Sequence, residues 1–299
     1  MTDCSIPRAT SVTHEHLLSI VHTQTKGLGP DRPVRVLDAG CGTGQLIAYL
    51  SANLPRLSPS LTFELYGFDV AGHGVQLDNY FEDTRRRLSA ECPGVDWSER
   101  LALVPAGDPW PFPDEFFDVV VSNQVLEHVR TRDQFFSEIR RTLRVGGSSA
   151  HLSPLRECLW EWHLHLPLVH RIRNYDLLRA CITLCSRLGL GKYRSHRGRY
   201  TLSEYCESHA DYIHYFTNYL SYREALSLAK KHGMRGSFRH TLELYTRKAR
   251  RLFGGTPRFN QRRGAQAFRS WLAVLVLKRV SSVTLTLEKV ETYTLRHRE

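Results

Sequence analysis

Three glycines at two-residue steps, Gly40, Gly42 and Gly44, sit in the stretch VLDAGCGTG (Val36–Gly44). Glycine has no Cβ, so a backbone that carries three of them can turn tightly and lie close against a ligand. A dinucleotide fingerprint would put its third glycine at position 45, which is Gln45, and the Gly-Lys-Ser/Thr end of a P-loop is absent. The ligand therefore need not be a dinucleotide. Asp69 follows 25 positions after Gly44 and closes the apolar run TFELYGFDV (Thr62–Val70). A carboxylate at that place can accept two hydrogen bonds from the vicinal hydroxyls of a ribose. A further acid, Asp108, ends RLALVPAGD (Arg100–Asp108). A lone GxGxG is a weak signal; glycines after one strand, an acid ending the next and Gly-Asp ending the third make a strong one.

A second concentration of reactive side chains is WEWHLHLPLVH (Trp160–His170), with three histidines, two tryptophans and a glutamate in eleven residues. His163 and His165, two apart, cannot share a helix face, whereas Glu161 and His165, four apart, can. A metal reading would need a third ligand from elsewhere, such as His128. Taken singly, each histidine is more simply one satisfied by local hydrogen bonds beside the tryptophans.

The elements that must position these groups can be read from periodicity. VTHEHLLSIVHTQT (12–25) predicts a helix, VRVLDAG (Val34–Gly40) a strand and QLIAYLSANL (Gln45–Leu54) a helix. TFELYGFDV is a second strand and VQLDNYFEDTRRRLSAE the next helix. RLALVPAGD, FFDVVVSN (Phe116–Asn123) and SSAHLSP (Ser148–Pro154) are further strands. The helix RDQFFSEIRRTLRVGG lies between the last two, ended by Gly146–Gly147. This alternation implies a parallel sheet with right-handed crossovers. It stops after Pro154. Residues 155–220 read as helical, aromatic and basic: Pro167 suits a first helical turn, and Leu168, Ile172, Tyr175, Leu178, Ile182, Cys185 and Leu188 recur at helical spacing. SYREALSLAKKHG (Ser221–Gly233) is a helix with a Ser221/Glu224 capping box, and SFRHTLELYTRK and SSVTLTLEKV read as two late strands. Three segments result: a ligand-binding core over 1–154, a helical insertion over 155–220 and the C-terminal part of the core sheet over 221–299.

Here the sequence resembles the class I S-adenosylmethionine-dependent methyltransferases, in particular the subgroup with LDxGCGTG followed by FDVVxxxxVLEHV. In this chain those motifs read VLDAGCGTG and FDVVVSNQVLEHV. The resemblance covers about residues 30–154 and, more loosely, 220–290. It implies an α/β fold with a Rossmann-like seven-stranded sheet, a helical lid after strand five, and S-adenosyl-L-methionine as cofactor with S-adenosyl-L-homocysteine as product. Carried over by position, Gly40, Gly42 and Gly44 would pass under the methionine part and Asp38 would orient its ammonium end. Asp69 would hold the ribose hydroxyls, Val70 would lie against the adenine and Asp108 would reach the adenine amino group. The Ser122–Asn123 backbone would line the methionine end, and Trp110 would either cover the adenine or pack.

Methyl transfer from a sulfonium is an in-line displacement, so the protein mainly holds donor and acceptor in line in a dry site. A hydroxyl acceptor also needs a base, and histidine titrates near neutrality. His163 and His165 are the first candidates because their stretch follows strand five, close to the strand ends where open α/β sheets bind ligands. His128 is the next, with His151 behind it. In some related O-methyltransferases an ExxEH motif supplies magnesium ligands, but Gln124 stands where the first acid would be, so no metal is expected.

Composition bounds the remainder. The 299 residues carry 41 Lys+Arg against 30 Asp+Glu, a net charge of +11, which favours an acidic partner or is simply a solvated basic surface. GKYRSHRGRY (Gly191–Tyr200), with five basic-type residues, and the Tyr-rich DYIHYFTNYLSY suit a phosphate- or sugar-bearing acceptor as well as they suit a basic loop. The basic, aromatic stretch Thr246–Arg279 could rest on an anionic membrane surface, although such a stretch is more often a surface helix. Seven scattered cysteines without a CxxC pair, and no secretory or membrane-spanning run, read as a cytoplasmic protein. The expected function is O-methylation of a small-molecule, sugar or lipid-linked acceptor in a biosynthetic pathway. An RNA methyltransferase and a non-catalytic cofactor-binding scaffold are the alternatives; no nucleic-acid module is recognisable. Homodimers are common among such enzymes, but no stretch marks an interface.

Overall fold

The apolar runs of the first half pair in parallel, as their alternation with helices requires. The computed structural model describes residues 5–71, 79–256, 258–259 and 266–290. Its strands are β1 (Val34–Ala39), β2 (Phe63–Val70), β3 (Leu101–Val104), β4 (Phe117–Asn123) and β5 (Leu143–Ser153), then a short hairpin β6 (Trp160–Glu161) and β7 (Leu166–Pro167), and finally β8 (Met234–Ser237) and β9 (Val283–Lys289). The main sheet has seven strands in the order β3-β2-β1-β4-β5-β9-β8. The first five are parallel, and β9 runs antiparallel between β5 and β8. The expected seven-stranded α/β sheet is present. The chain leaves β1 toward β2 on one side and returns on the other side as β4. The switch point between β1 and β4 is where such sheets leave a crevice for a ligand.

Helices cover both faces, so the central strands are apolar without alternation: every residue of β4 from Phe117 to Ser122 is buried. On one face lie α1 (Val12–Thr25), α2 (Gln45–Leu57), α3 (Tyr80–Glu91) and the short α4 (Trp97–Arg100), packed through Leu17, Val21, Ile47, Leu50, Leu88 and Trp97. On the other lie α5 (Arg132–Thr142) and α9 (Tyr222–Lys231), through Phe136, Ile139, Ala225 and Ala229. The Ser221/Glu224 capping box of α9 forms as the sequence predicts.

Between β5 and α9 the chain builds a separate cluster. Helices α6 (Tyr175–Arg187) and α8 (Leu202–Phe216), with the short α7 (Tyr193–His196) between them, bury Leu178, Ile182, Tyr205 and Ala210 against Leu164 and Leu166 of the hairpin. Leu178 is fully buried there. Leu178→Ala should cost about 2–5 kcal/mol of stability, read as a lowered thermal midpoint. Because this cluster is distinct from the two that flank the sheet, the same variant should keep its affinity for S-adenosylhomocysteine within about twofold.

Three sequence expectations need correction, and one strand was not foreseen. The stretch from Trp160 to Pro167 is a hairpin, not the approach to a helix: Pro167 pairs with Trp160, Leu168 has φ +60°, and the amphipathic helix begins only at Tyr175, capped by Asn174. Helix α5 ends at Thr142, before Gly146–Gly147. Those glycines sit inside β5, where the β4–β5 register shifts between Phe117 and Val119 and a Cβ on Gly147 would meet Asp118 O at 3.0 Å. TLELYTRK is not a strand but the start of α10 (Thr241–Leu252), with Thr241, Leu244 and Arg247 buried at steps of three. The local alternation of Leu and polar residues imitated a strand; packing on α1 and on α11 (Gln266–Leu277) selects the helix instead. Strand β8 precedes α10 and had no clear apolar signal.

Among the described residues no helix is long and apolar enough to cross a membrane. Six cysteines there are free thiols. The expected helix start at residues 75–79 falls partly outside the described residues, and Cys4 lies outside them altogether.

Candidate active site

At the end of β1 the chain passes through Gly40, Gly42 and Gly44 with φ of +79°, +50° and +70°. The left-handed region suits glycine, and two positions also lack room for a side chain. A Cβ on Gly40 would lie 2.6 Å from Val125 Cγ2, and one on Gly44 2.8 Å from Leu88 Cδ1. The Gly40 and Cys41 N–H groups donate to Phe68 O at 2.9 and 3.0 Å, which ties the turn to the end of β2. There Asp69 accepts from Gly42 N–H through Oδ2 (2.8 Å) and from Val70 N–H through Oδ1 (2.7 Å). Above Gly42 the space is open, with Asp69 Oδ2 4.0 Å from where a Cβ would stand.

Asp38 lies beneath this turn, 3% exposed, and its Oδ1 has no hydrogen-bond partner among the described residues. Burial first, and the charge of Asp69 second, push its pKa well above the ordinary carboxylate value. A buried carboxyl with an unmet acceptor is costly alone and is relieved by a cationic, hydrogen-bonding ligand. An open backbone cradle, a carboxylate at the next strand end and a second, buried carboxyl together fit the adenosyl and ammonium parts of S-adenosylmethionine. Val70 is half-buried beside Asp69. Asp108 is exposed in the turn after β3, its N–H donating to Pro105 O. Trp110 packs in the core against Phe68, with ring centroids 4.7 Å apart, and takes the packing role of the two it was offered.

Strand β4 delivers the other wall. Ser122 is fully buried, its hydroxyl 2.8 Å from His151 Nδ1. Burial lowers the His151 pKa to about 3, so that ring is neutral at pH 7 and a poor candidate for a base. Asn123 and Gln124 then reach a cavity of about 440 Å³, which is also lined by Thr13, Glu161, His163, Lys192 and Tyr219. Val125, the next residue along, is the one that closes over Gly40. The end of β4 and its following residues, Asn123 to Val125, thus lie between the glycine turn and the cavity.

Inside the cavity wall Glu161 is buried, with its side chain fully covered. Its Oε1 meets His163 Nδ1 at 2.5 Å and accepts from the Tyr219 hydroxyl at 3.0 Å; its Oε2 accepts from Leu164 N–H at 2.7 Å. Burial alone would lower the His163 pKa, but the hydrogen bond and charge of Glu161, with the charge of Glu127, outweigh it and leave the ring above 6.5. Burial likewise works against the Glu161 carboxylate, and its bonds to His163 and Leu164 leave it below 4.5. Burial pushes the nearby Glu127 carboxyl up to about 7. The Tyr219 hydroxyl is raised first by burial, then by Glu161, and stays protonated.

The sequence candidates therefore separate. His163 lies in the cavity wall. His165 is exposed, with φ +56°, its ring edge-on to Trp162, and does not line the cavity. The helix face it could have shared with Glu161 does not form, because a turn joins them; Glu161 takes His163 instead. His128 has its Nδ1 2.7 Å from Phe216 O and its ring centroid 6.0 Å from that of His163, tethering the insertion beside the cavity. Lys192 and Tyr219 come from the basic and Tyr-rich stretches that the sequence offered as acceptor lining, without being singled out there; sequence reasoning missed the contribution of Ser11 and Thr13 from the start of α1. Only the fold brings these four residues to one wall. Among the described residues no group of three or more His, Cys, Asp or Glu is arranged to hold a metal ion.

Residues 37–150 match the family model described as a methyltransferase domain. Over 116 residues the chain is 38% identical to a Mycolicibacterium smegmatis protein named a probable S-adenosylmethionine-dependent methyltransferase, covering 38% of this chain and 35% of that one. Over 123 residues it is 32% identical to a malonyl-[acyl-carrier protein] O-methyltransferase of Methylococcus capsulatus, covering 41% and 38%. The chain thus spans little more than a third of the length of these relatives. A geranyl diphosphate methyltransferase solved with S-adenosylmethionine superposes with a TM-score of 0.46 at 14% identity, over 92% of this chain and 86% of that one.

Proposed function

We propose that this chain, whose residues 37–150 form a class I S-adenosylmethionine-dependent methyltransferase domain, methylates an oxygen of a small-molecule, sugar or lipid-linked acceptor bound in the cavity beside His163. The observation that carries the oxygen assignment is the His163–Glu161 pair, 2.5 Å apart in the wall of that cavity. An O-methyltransferase among the relatives agrees with it.

The domain's cofactor supplies a methyl group already activated on a sulfonium. Gly40, Gly42 and Gly44 leave backbone space for it, Asp69 would hold its ribose hydroxyls and Asp38 its ammonium end. Val70, Asp108, Ser122 and Asn123 would complete its surroundings from the ends of β2, β3 and β4. Glu161 holds the proton on His163 Nδ1, which leaves Nε2 free to take the acceptor hydroxyl proton as the oxygen attacks. The Tyr219 hydroxyl and Leu164 N–H fix Glu161, so the ring is oriented before the acceptor arrives. Lys192 gives the cavity a positive charge suited to an acidic acceptor.

The test has two stages. Calorimetry should detect S-adenosylhomocysteine binding; its absence would end the methyl-transfer reading. Release of S-adenosylhomocysteine is then measured with matched panels of phenols, carboxylic acids, sugars and amines. Turnover with oxygen acceptors supports the proposal, and turnover with amines alone overturns the oxygen assignment.

A further inference from the structure

The hairpin and the end of α11 present one apolar face to solvent. Leu159 N–H donates to Arg279 O at 2.8 Å, Trp162 Nε1–H to Val280 O at 3.1 Å, and Leu168 N–H to Leu159 O at 3.0 Å. These bonds hold Leu159, Trp160, Trp162 and Leu168 beside Val276 and Val280, each between 39% and 62% exposed. Leu272, one turn before Val276 on α11, is 45% exposed. Scattered exposed leucines are ordinary, but a fixed, adjoining group with two tryptophans marks an interaction surface.

Charge identifies what meets it. From residue 244 to residue 287 the chain has ten Lys and Arg and no Asp or Glu. Within that run Arg247 and Arg251 pair with Glu243 and Glu15, and Lys278 lies over the Tyr222 ring near Glu157; Arg279 is exposed in the face beside Val280, and Lys192 donates from Nζ to Trp162 O at 3.1 Å. Tryptophan rings settle at the headgroup level of a bilayer, aliphatic side chains sink just below it, and lysine and arginine meet anionic headgroups. A nucleic acid would use the cations but would gain nothing from Leu272, Val276 and Val280. Trp160 and Trp162 also line the cavity beside His163, so the face borders the cavity on that side.

We propose that this face docks on an anionic phospholipid bilayer and opens the cavity toward the lipid headgroups. Docking does not depend on methyl transfer: it is read without cofactor, so it can fail or hold separately from the activity.

The test is flotation of the full chain with vesicles of phosphatidylcholine alone and of phosphatidylcholine with about 30% phosphatidylglycerol. Binding to the anionic vesicles, weakened by added salt, is expected. A Leu272→Ser/Val276→Ser variant should lower the bound fraction about fivefold while keeping its thermal midpoint and its S-adenosylhomocysteine affinity. Arg279→Glu, which leaves the apolar residues in place, should act in the same direction and serves if the first variant fails to fold. Equal binding to neutral and anionic vesicles, binding unchanged in both variants, or single-stranded RNA displacing the chain from vesicles would overturn the proposal.

Discussion

Alanine in place of His163 is expected to lower kcat/KM by about 10²–10⁴-fold, the range for losing a positioned general base. S-adenosylhomocysteine affinity should stay within about twofold, because His163 belongs to the acceptor cavity and not to the glycine turn. The pH profile carries the sharper information. Only the neutral ring can take a proton, and Glu161 and Glu127 hold its pKa above 6.5 against the effect of burial. Activity should therefore rise with pH and level off only above that raised value. Glu161→Gln removes the negative charge, so the rising limb should move to lower pH while the plateau falls. Glu127 titrates at about 7 within the same group, so the limb belongs to the coupled set, and Glu127→Gln should also move it downward. A limb indifferent to both substitutions would remove His163 from the role. Stability follows the opposite sign for the histidine. Its raised pKa contributes stability below 6.5 that is lost as pH rises through the folded value. The lowered pKa of Glu161 contributes stability above 4.5 that is lost as pH falls. The pair stabilises most in the mildly acidic window between, where the base is least active.

Asp69→Ala should weaken S-adenosylhomocysteine binding roughly 100-fold, taking about 1.5–3 kcal/mol for each hydrogen bond to a charged group. Part of that loss is internal, because Asp69 also accepts from Gly42 N–H at 2.8 Å and so shapes the turn it faces. Gly40→Ala separates the two contributions. Its Cβ would stand 2.6 Å from Val125 Cγ2 in a backbone with φ +79°, so the turn must move while every acid stays in place. Calorimetry should find binding weakened at least about tenfold in both variants. A Gly40→Ala protein that binds normally would mean the turn does not carry the cofactor.

The sheet was legible because its signals are local. β1, β2 and β3 are apolar runs followed by glycine or acid, β4 is a continuous apolar run, and α1, the capping box of α9 and β9 announce themselves by period or cap. The failures came where packing overrides pattern. TLELYTRK alternates like a strand, yet Thr241, Leu244 and Arg247 bury as one helical face. Gly146 and Gly147 resemble a helix stop, yet they let β5 bulge past Asp118. The glycine turn with Asp38 and Asp69 could be read from spacing alone, whereas the cavity could not. Tyr219 comes from 58 positions beyond Glu161, and Thr13 from the other end of the chain. WEWHLHLPLVH offered several donors, and only the hairpin decides that Glu161 meets His163.

The separate core of residues 164–213 has a consequence for engineering acceptor choice. The insertion is attached mainly near its two ends and along the hairpin: His128 Nδ1 to Phe216 O, Arg132 to Asn218, Asn218 N–H to Glu127 O and Arg156 to Glu224, with Leu159 N–H to Arg279 O and Trp162 Nε1–H to Val280 O from the hairpin. It is therefore a natural cassette for grafting from a homologous enzyme, with junctions near Arg156 and Leu220, before α9. A graft would carry its own histidine hairpin and Tyr219 but would inherit Ser11, Thr13, Asn123, Gln124, Pro154, Ser281 and Ser282 from the host, which form the rest of the cavity wall. Chimeras should thus accept new acceptors readily where they differ on the side of the hairpin. Those that differ on the side of α1 would need the host's first helix recut to match.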